Sequence, residues 1–191
     1  MKKKISLFIL VIAFALIMGG AYALYGSLSG EVDPSASMAV QEEAETSVAE
    51  NMPLAPDFTV MDVADQSVAL SDMAGKPVVV NFWASWCGPC QSEMPDFQQK
   101  YEEYGDRVTF MMVNMTEGRE TVQTASDFVA AAGYTFPVYF DTQQSAAIAY
   151  GVNTIPATYF IDAEGRAIAY GLGALNEEII QQGIDMILPA E

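Results

Sequence analysis

Trp86-Cys87-Gly88-Pro89-Cys90 contains both cysteines of this 191-residue chain, three positions apart. A strand-like run, Pro77 to Trp83, leads into it, and a helix-like run, Gln91 to Tyr104, leads out. A Cys-x-x-Cys pair at the start of a helix sets one sulfur at the exposed N-terminus and the other one turn further in. The unpaired N–H groups and the dipole at that end favour negative charge. A thiol there titrates below the free value of about 8.5, and motifs of this kind reach roughly 3.5–7.5. The thiolate is the nucleophile of disulfide exchange, and a neighbouring thiol resolves the mixed disulfide. Cys87 is therefore the expected attacking cysteine and Cys90 the resolving one.

Two plainer uses of the pair compete. A zinc site needs two further Cys or His ligands, and the chain has two Cys and no His. A purely structural disulfide closing so short a loop constrains the unfolded chain little. The strand-to-helix setting favours redox chemistry over both.

Together with Ala55-Pro56-Asp57-Phe58 upstream, this motif resembles the active-site region of the thioredoxin superfamily. The similarity runs over about residues 54 to 188 and is greatest to the membrane-anchored TlpA/ResA branch. The resemblance implies an α/β, thioredoxin-like fold: a mixed central sheet flanked by helices, an N-terminal β-hairpin, and a central helix–strand insertion between about Asn114 and Phe140. It also implies that Pro156, in Thr154-Ile155-Pro156-Ala157, is cis and packs against the Cys-x-x-Cys. A cis X–Pro is a minority state, about 5% of such bonds. The backbone of Ile155 is then free to pair with a substrate peptide by strand addition. Trp86, Gly88, Pro89, Ile155 and Pro156 form the implied substrate contacts. No cofactor is implied beyond the Cys87–Cys90 disulfide.

Glu93 falls three positions after Cys90, beside Met94 and Phe97 on the apolar flank of the helix. A carboxyl there is partly desolvated, which raises its pKa. It can then exchange protons with Cys90 near neutral pH. The competing reading is a first-turn Glu that complements the helix dipole. The resemblance favours the first, because ResA-like proteins carry a glutamate at this position. Asn81 is a departure from cytoplasmic thioredoxins, which place an aspartate at the matching strand position. Asn cannot take up a proton, so Glu93 is the acid left near the cysteines, and Asn81 reads as a satisfied core amide.

The chain opens with Lys2, Lys3 and Lys4 and then runs apolar from Ile5 to Tyr25. About 20 residues of that kind can span a bilayer, and the lysines predict a cytoplasmic N-terminus at residues 1–4. Ala21-Tyr22-Ala23 offers a signal-peptide cleavage site as the alternative, but the length of the apolar run favours an uncleaved anchor over 5–25. Residues 26–53 are rich in Ser, Ala and Glu and read as a flexible acidic linker. Residues 54–191 form the expected thioredoxin-like domain, outside the bacterial plasma membrane. The formal charge is −17; without Lys2, Lys3 and Lys4, five basic residues face 25 acidic ones, which gives −20. That balance excludes nucleic acid as a partner, and solubility explains it before partner steering does.

Along the domain, Ala55 to Met61 and Ser67 to Leu70 predict two short strands around Asp65-Gln66, with a helical turn ending at Gly75. Pro95 predicts a kink in the first long helix. Strands are expected at 107–113, 136–140, 154–161 and 167–171. Helices are expected at 120–132, 142–150 and 177–188, the last with Ile179, Ile180, Ile184 and Ile187 buried. Met111, Met112 and Met115 read as core filler.

The leading expectation is an extracytoplasmic reductase of protein disulfides, because Gly88-Pro89 matches the reducing motif type. By family, its clients are oxidised exported proteins such as apocytochrome c, and its electrons come from a membrane reductase of the CcdA/DsbD kind. The alternatives are an oxidase or isomerase of exported proteins, a thiol peroxidase, and an exported binding module with incidental cysteines. Ile155 before the proline leans against the oxidase. Ala84 leans against the peroxidase, since peroxiredoxins place Thr or Ser three residues before the reactive cysteine.

Overall fold

The computed structural model describes residues 52–189. The predicted N-terminus at 1–4, the span at 5–25 and the linker up to residue 51 lie outside the described residues. Among the described residues no helix is long and apolar enough to cross a membrane.

Strand β3 (Val78–Trp83) organises the sheet, and all six of its residues are buried. A strand covered on both faces needs apolar residues at odd and even positions alike, and Val78-Val79-Val80-Asn81-Phe82-Trp83 supplies them at all but one. On its flanks lie β4 (Thr109–Asn114), parallel, and β6 (Ala157–Ile161), antiparallel. Adding β1 (Thr59–Met61), β2 (Ser67–Ala69), β5 (Val138–Phe140) and β7 (Ala167–Leu172) gives a seven-stranded sheet in the order β2-β1-β5-β4-β3-β6-β7. The mixed α/β sheet, the N-terminal hairpin β1–β2 and the insertion are thus all present.

Four helices cover the sheet: α1 (Gly88–Tyr104), α2 (Val122–Ala132), α3 (Ser145–Tyr150) and α4 (Glu177–Ile187). Val79 and Trp83 pack with Met94 and Phe97 of α1 and with Ile180 and Ile184 of α4. Val78, Val80 and Phe82 pack on the other face with Phe58, Met111 and Ala146 of α3. Asn81 shares the α1 face with Val79 and Trp83, since alternate strand residues point the same way. That alternation sets its amide under Glu93.

Helix α1 holds Pro95, the expected kink position, within it and ends at Tyr104, where the sequence placed its end. Several other boundaries differ from expectation. Helix α2 starts at Val122 because Thr121 caps it, accepting from the Thr124 N–H. Helix α3 starts at Ser145 rather than 142, because Gln144 is left-handed (φ 58°) and Asp141 accepts from the N–H groups of Ala146 and Ala147. On α4, Ile179 is 45% exposed while Ile180, Ile184 and Ile187 are buried. The buried stripe of α4 includes Gly183 in place of Ile179.

Candidate active site

The carboxyl end of β3 delivers the chain to the N-terminus of α1, with Cys87 as its N-cap. The Cys90 N–H is directed at the Cys87 sulfur at 3.2 Å. Pro89 has no N–H to compete for it. Cys87 and Cys90 form a disulfide with Cα atoms 5.2 Å apart. Cys90 is fully enclosed, and Cys87 keeps a 5% opening. The Ile155–Pro156 peptide is cis, and the Ile155 carbonyl oxygen lies 3.9 Å from the Cys87 sulfur. A bridged sulfur carries no proton, so this is a packing contact. The Gly173 N–H holds the loop in place by donating to the Pro156 carbonyl at 2.9 Å. The structure therefore brings Cys87, Cys90, Ile155 and Pro156 into one place, with Gly88 and Pro89 between the sulfurs and Trp86, 47% exposed, beside them.

Glu93 lies one turn beyond Cys90 and is 1% exposed. Side chains three apart on a helix share a face, so the carboxyl and the inner sulfur occupy the same buried flank. One carboxylate oxygen accepts from Asn81 Nδ2 at 2.8 Å and the other from the Leu175 N–H at 2.9 Å. Burial raises the pKa of Glu93 from 4.5 to about 7, against the pull of the Leu175 and Asn81 donors; Asp96 adds a smaller push upward. Asn81 is not the satisfied core amide expected from sequence. Its Nδ2 serves both Glu93 and Thr158 Oγ1, at 2.8 and 3.0 Å, and its Oδ1 has no partner among the described residues.

Sequence reasoning missed a second layer. Glu120, expected at the start of a helix, is 3% exposed and turned inward. Its carboxylate accepts from Ser85 N–H, Ser85 Oγ–H and Asn114 Nδ2, each at 2.8 Å. The preceding residue, Arg119, places its guanidinium 4.2 Å over the Trp86 ring. The available signal was topological. Strands β3 and β4 are parallel, so the segment after β4 emerges at the same edge as the Cys-x-x-Cys.

Two sulfurs that interconvert between dithiol and disulfide carry two electrons without help from a bound group. Among the described residues no group of three or more His, Cys, Asp or Glu could hold a metal ion. A thioredoxin-like sheet with this dithiol–disulfide pair at a helix N-terminus, beside a cis-proline, defines a thiol-disulfide oxidoreductase.

The chain belongs to the AhpC/TSA family, whose model matches residues 53–170. It is 31% identical over 193 residues to the thiol-disulfide oxidoreductase ResA of Bacillus subtilis, covering 100% of this chain and 98% of that protein. It is 36% identical over 136 residues to ResA of Geobacillus thermodenitrificans, covering 71% and 76%. Among solved structures it is similar to StoA from Bacillus subtilis, at 26% identity and a TM-score of 0.60, covering 69% of this chain and 98% of that one. A thiol:disulfide interchange protein described as a putative DsbE, from Chlorobium tepidum, matches at 31% identity and a TM-score of 0.63, covering 70% and 94%.

Proposed function

We propose that this protein is a membrane-anchored, extracytoplasmic reductase of disulfides in exported polypeptides. The observation that carries the reading is the Cys90 N–H aimed at the Cys87 sulfur from the first turn of α1. On reduction that donor and the helix end stabilise Cys87 as thiolate. The thiolate attacks one sulfur of the client disulfide, and the other client sulfur leaves as a thiol once protonated. Cys90 then gives its proton to the Glu93 carboxylate and attacks the Cys87 sulfur. The client's second sulfur departs, and the Cys87–Cys90 disulfide remains. Two electrons have passed to the client; Glu93 returns the Cys90 proton to one departing sulfur, and water supplies the proton for the other. The Ile155 backbone beside the sulfur serves as the docking edge, and Trp86, Gly88, Pro89 and Pro156 form its walls.

The apolar run at 5–25 is the anchor, and Lys2, Lys3 and Lys4 keep its start in the cytoplasm. A membrane thiol reductase of the CcdA/DsbD kind restores the dithiol. Apocytochrome c before haem attachment is the client class the resemblance implies. Gly88-Pro89 and Ile155 support the reducing direction.

The test is the two-electron midpoint potential, followed by capture of mixed disulfides with Cys90→Ala in the native membrane. A potential near that of thioredoxin, about −270 mV, with exported cysteine proteins trapped on Cys87, supports the reading. A potential near −120 mV, that of a strong oxidant, reverses the flux and refutes it. Stoichiometric consumption of peroxide by the reduced protein points to the peroxidase alternative, and a Cys87 inert to iodoacetamide at neutral pH points to the binding module.

A further inference from the structure

The described residues include five cations: Lys76, Lys100, Arg107, Arg119 and Arg166. Four of them lie away from the disulfide. Lys100 is 4% exposed, ten residues along α1 from Cys90, and paired with Glu103 and Glu177 at 3.4 and 3.1 Å. Lys76 and Arg107 precede the parallel strands β3 and β4, so they lie at the opposite end of the sheet. Arg166 follows β6, which runs antiparallel to β3, and pairs with Asp162 and Glu164 at that same far end.

Arg119 stands apart from these. It is exposed, lies beside the residue that precedes Cys87, and has no carboxylate within 4 Å among the described residues. Its guanidinium carbon sits 4.2 Å over the centre of the Trp86 ring, which holds the cation at the rim of the disulfide. The five N–H donors lie in the plane of the group, in a fork that matches a carboxylate. Its position is built rather than incidental. Ser85 is locked to Glu120 by two hydrogen bonds on the inner side, while their neighbours Trp86 and Arg119 stack on the outer side. The Glu120 N–H donates to the Glu117 carbonyl at 2.9 Å, and Gly118 is left-handed at φ +61°, so the turn that carries Arg119 is closed. A donor held this way loses little freedom when a ligand arrives.

We propose that Arg119 is a specificity-determining residue for disulfide exchange. Stacked on Trp86, it receives the carboxylate of an Asp or Glu close in sequence to the client cysteine that Cys87 attacks. The formal charge of −17 repels acidic polypeptides at long range. A single fixed cation at the rim therefore selects, among acidic clients, those whose carboxylate falls next to the disulfide. This assignment rests on the exchange reading above and deepens it.

The test uses the full chain in detergent, reduced and freed of reductant. It is mixed with three peptide disulfides that differ only in the residue beside one cysteine: Glu, Gln or Lys. Second-order rate constants are read by quenched-flow thiol counting. Arg119→Gln lowers the Glu-to-Gln rate ratio by about fivefold, the scale of one exposed ion pair. Arg119→Glu inverts the preference toward the Lys peptide, whereas Arg119→Lys keeps part of the original ratio. Arg107→Glu makes the same change in net charge at the far end and moves the ratios by less than about twofold, since exposed charges far apart are screened. Equal ratios in wild type and Arg119→Gln overturn the proposal. So does an equal loss on all three peptides, which marks a structural role only, or an Arg107→Glu shift as large as that of Arg119→Glu. If the reduced wild type turns over none of the peptides, the exchange reading itself fails and the Arg119 assignment falls with it.

Discussion

Glu93→Gln separates the cost of burying this carboxyl from its use. In the unfolded chain the group titrates at 4.5, and in the folded protein at about 7. Below pH 4.5 both states hold the proton, and Glu93 leaves stability unchanged. Between the two values the unfolded chain releases the proton while the folded protein keeps it, so stability falls as pH rises. Above 7 both are ionised and the whole penalty stands. At about 1.4 kcal/mol per tenfold change in proton affinity, the interval from 4.5 to about 7 amounts to about 3 kcal/mol. Glutamine keeps the shape without the charge. Its oxygen still accepts from the Leu175 N–H, and a turn of the Asn81 amide lets the unpartnered Oδ1 accept from the new Nε2. Urea unfolding of the oxidised protein, followed by fluorescence, gives the comparison at pH 5 and pH 8.5. The variant is expected to exceed wild type by about 3 kcal/mol at pH 8.5 and by less than about 1 kcal/mol at pH 5. A gap that stays flat between the two pH values, or a variant less stable at pH 8.5, refutes the reasoning. The same variant is expected to slow resolution by Cys90, since it removes the proposed proton acceptor while adding stability.

Two further perturbations test the surroundings. Glu120→Ala removes the acceptor shared by Ser85 and Asn114, and Asn114 is fully buried. It is expected to cost about 1–3 kcal/mol in urea unfolding, and an unchanged midpoint counts against the network. Gly183→Ala puts a Cβ 2.3 Å from the Phe160 ring. Helix propensity alone predicts a gain of about 1 kcal/mol, but overpacking against a ring that is 3% exposed costs about 1–3 kcal/mol or more. A net loss of stability is expected, and a rise in midpoint means that Phe160 yields.

Most of the fold was legible because its signals are local. The continuous apolar run of β3, the Cys-x-x-Cys after it and the period of α1 each read directly from residues 78–104. The helix starts were misplaced where a side chain outside the helix decides them. Asp141 draws the N–H groups of Ala146 and Ala147 and so delays α3 to Ser145. Ile179 was assigned inward because a four-isoleucine pattern cannot tell which edge of the stripe Gly183 occupies. Glu93 was legible from its offset to Cys90, whereas its partner Leu175 is 82 residues away. Glu120 and Arg119 were missed for the same reason: their meaning depends on β3 and β4 ending at one edge, and no local pattern records that.

The placement of the acid on α1, rather than on β3, has an energetic consequence. An ordinary carboxylate lies about four pH units below an ordinary thiol at about 8.5, so taking the thiol's proton is uphill by more than about 5 kcal/mol. Burial alone would close that gap but leave the carboxyl protonated and unable to accept. The Leu175 N–H and Asn81 Nδ2 oppose burial, and the balance stands at about 7. From there the transfer from an ordinary thiol is uphill by only about 2 kcal/mol, and half of the Glu93 groups are ready to accept near neutral pH. Asn81 thus does what an aspartate on the strand could not. It donates to the acid without competing for the proton, and it leaves a single titrating carboxyl beside the inner sulfur.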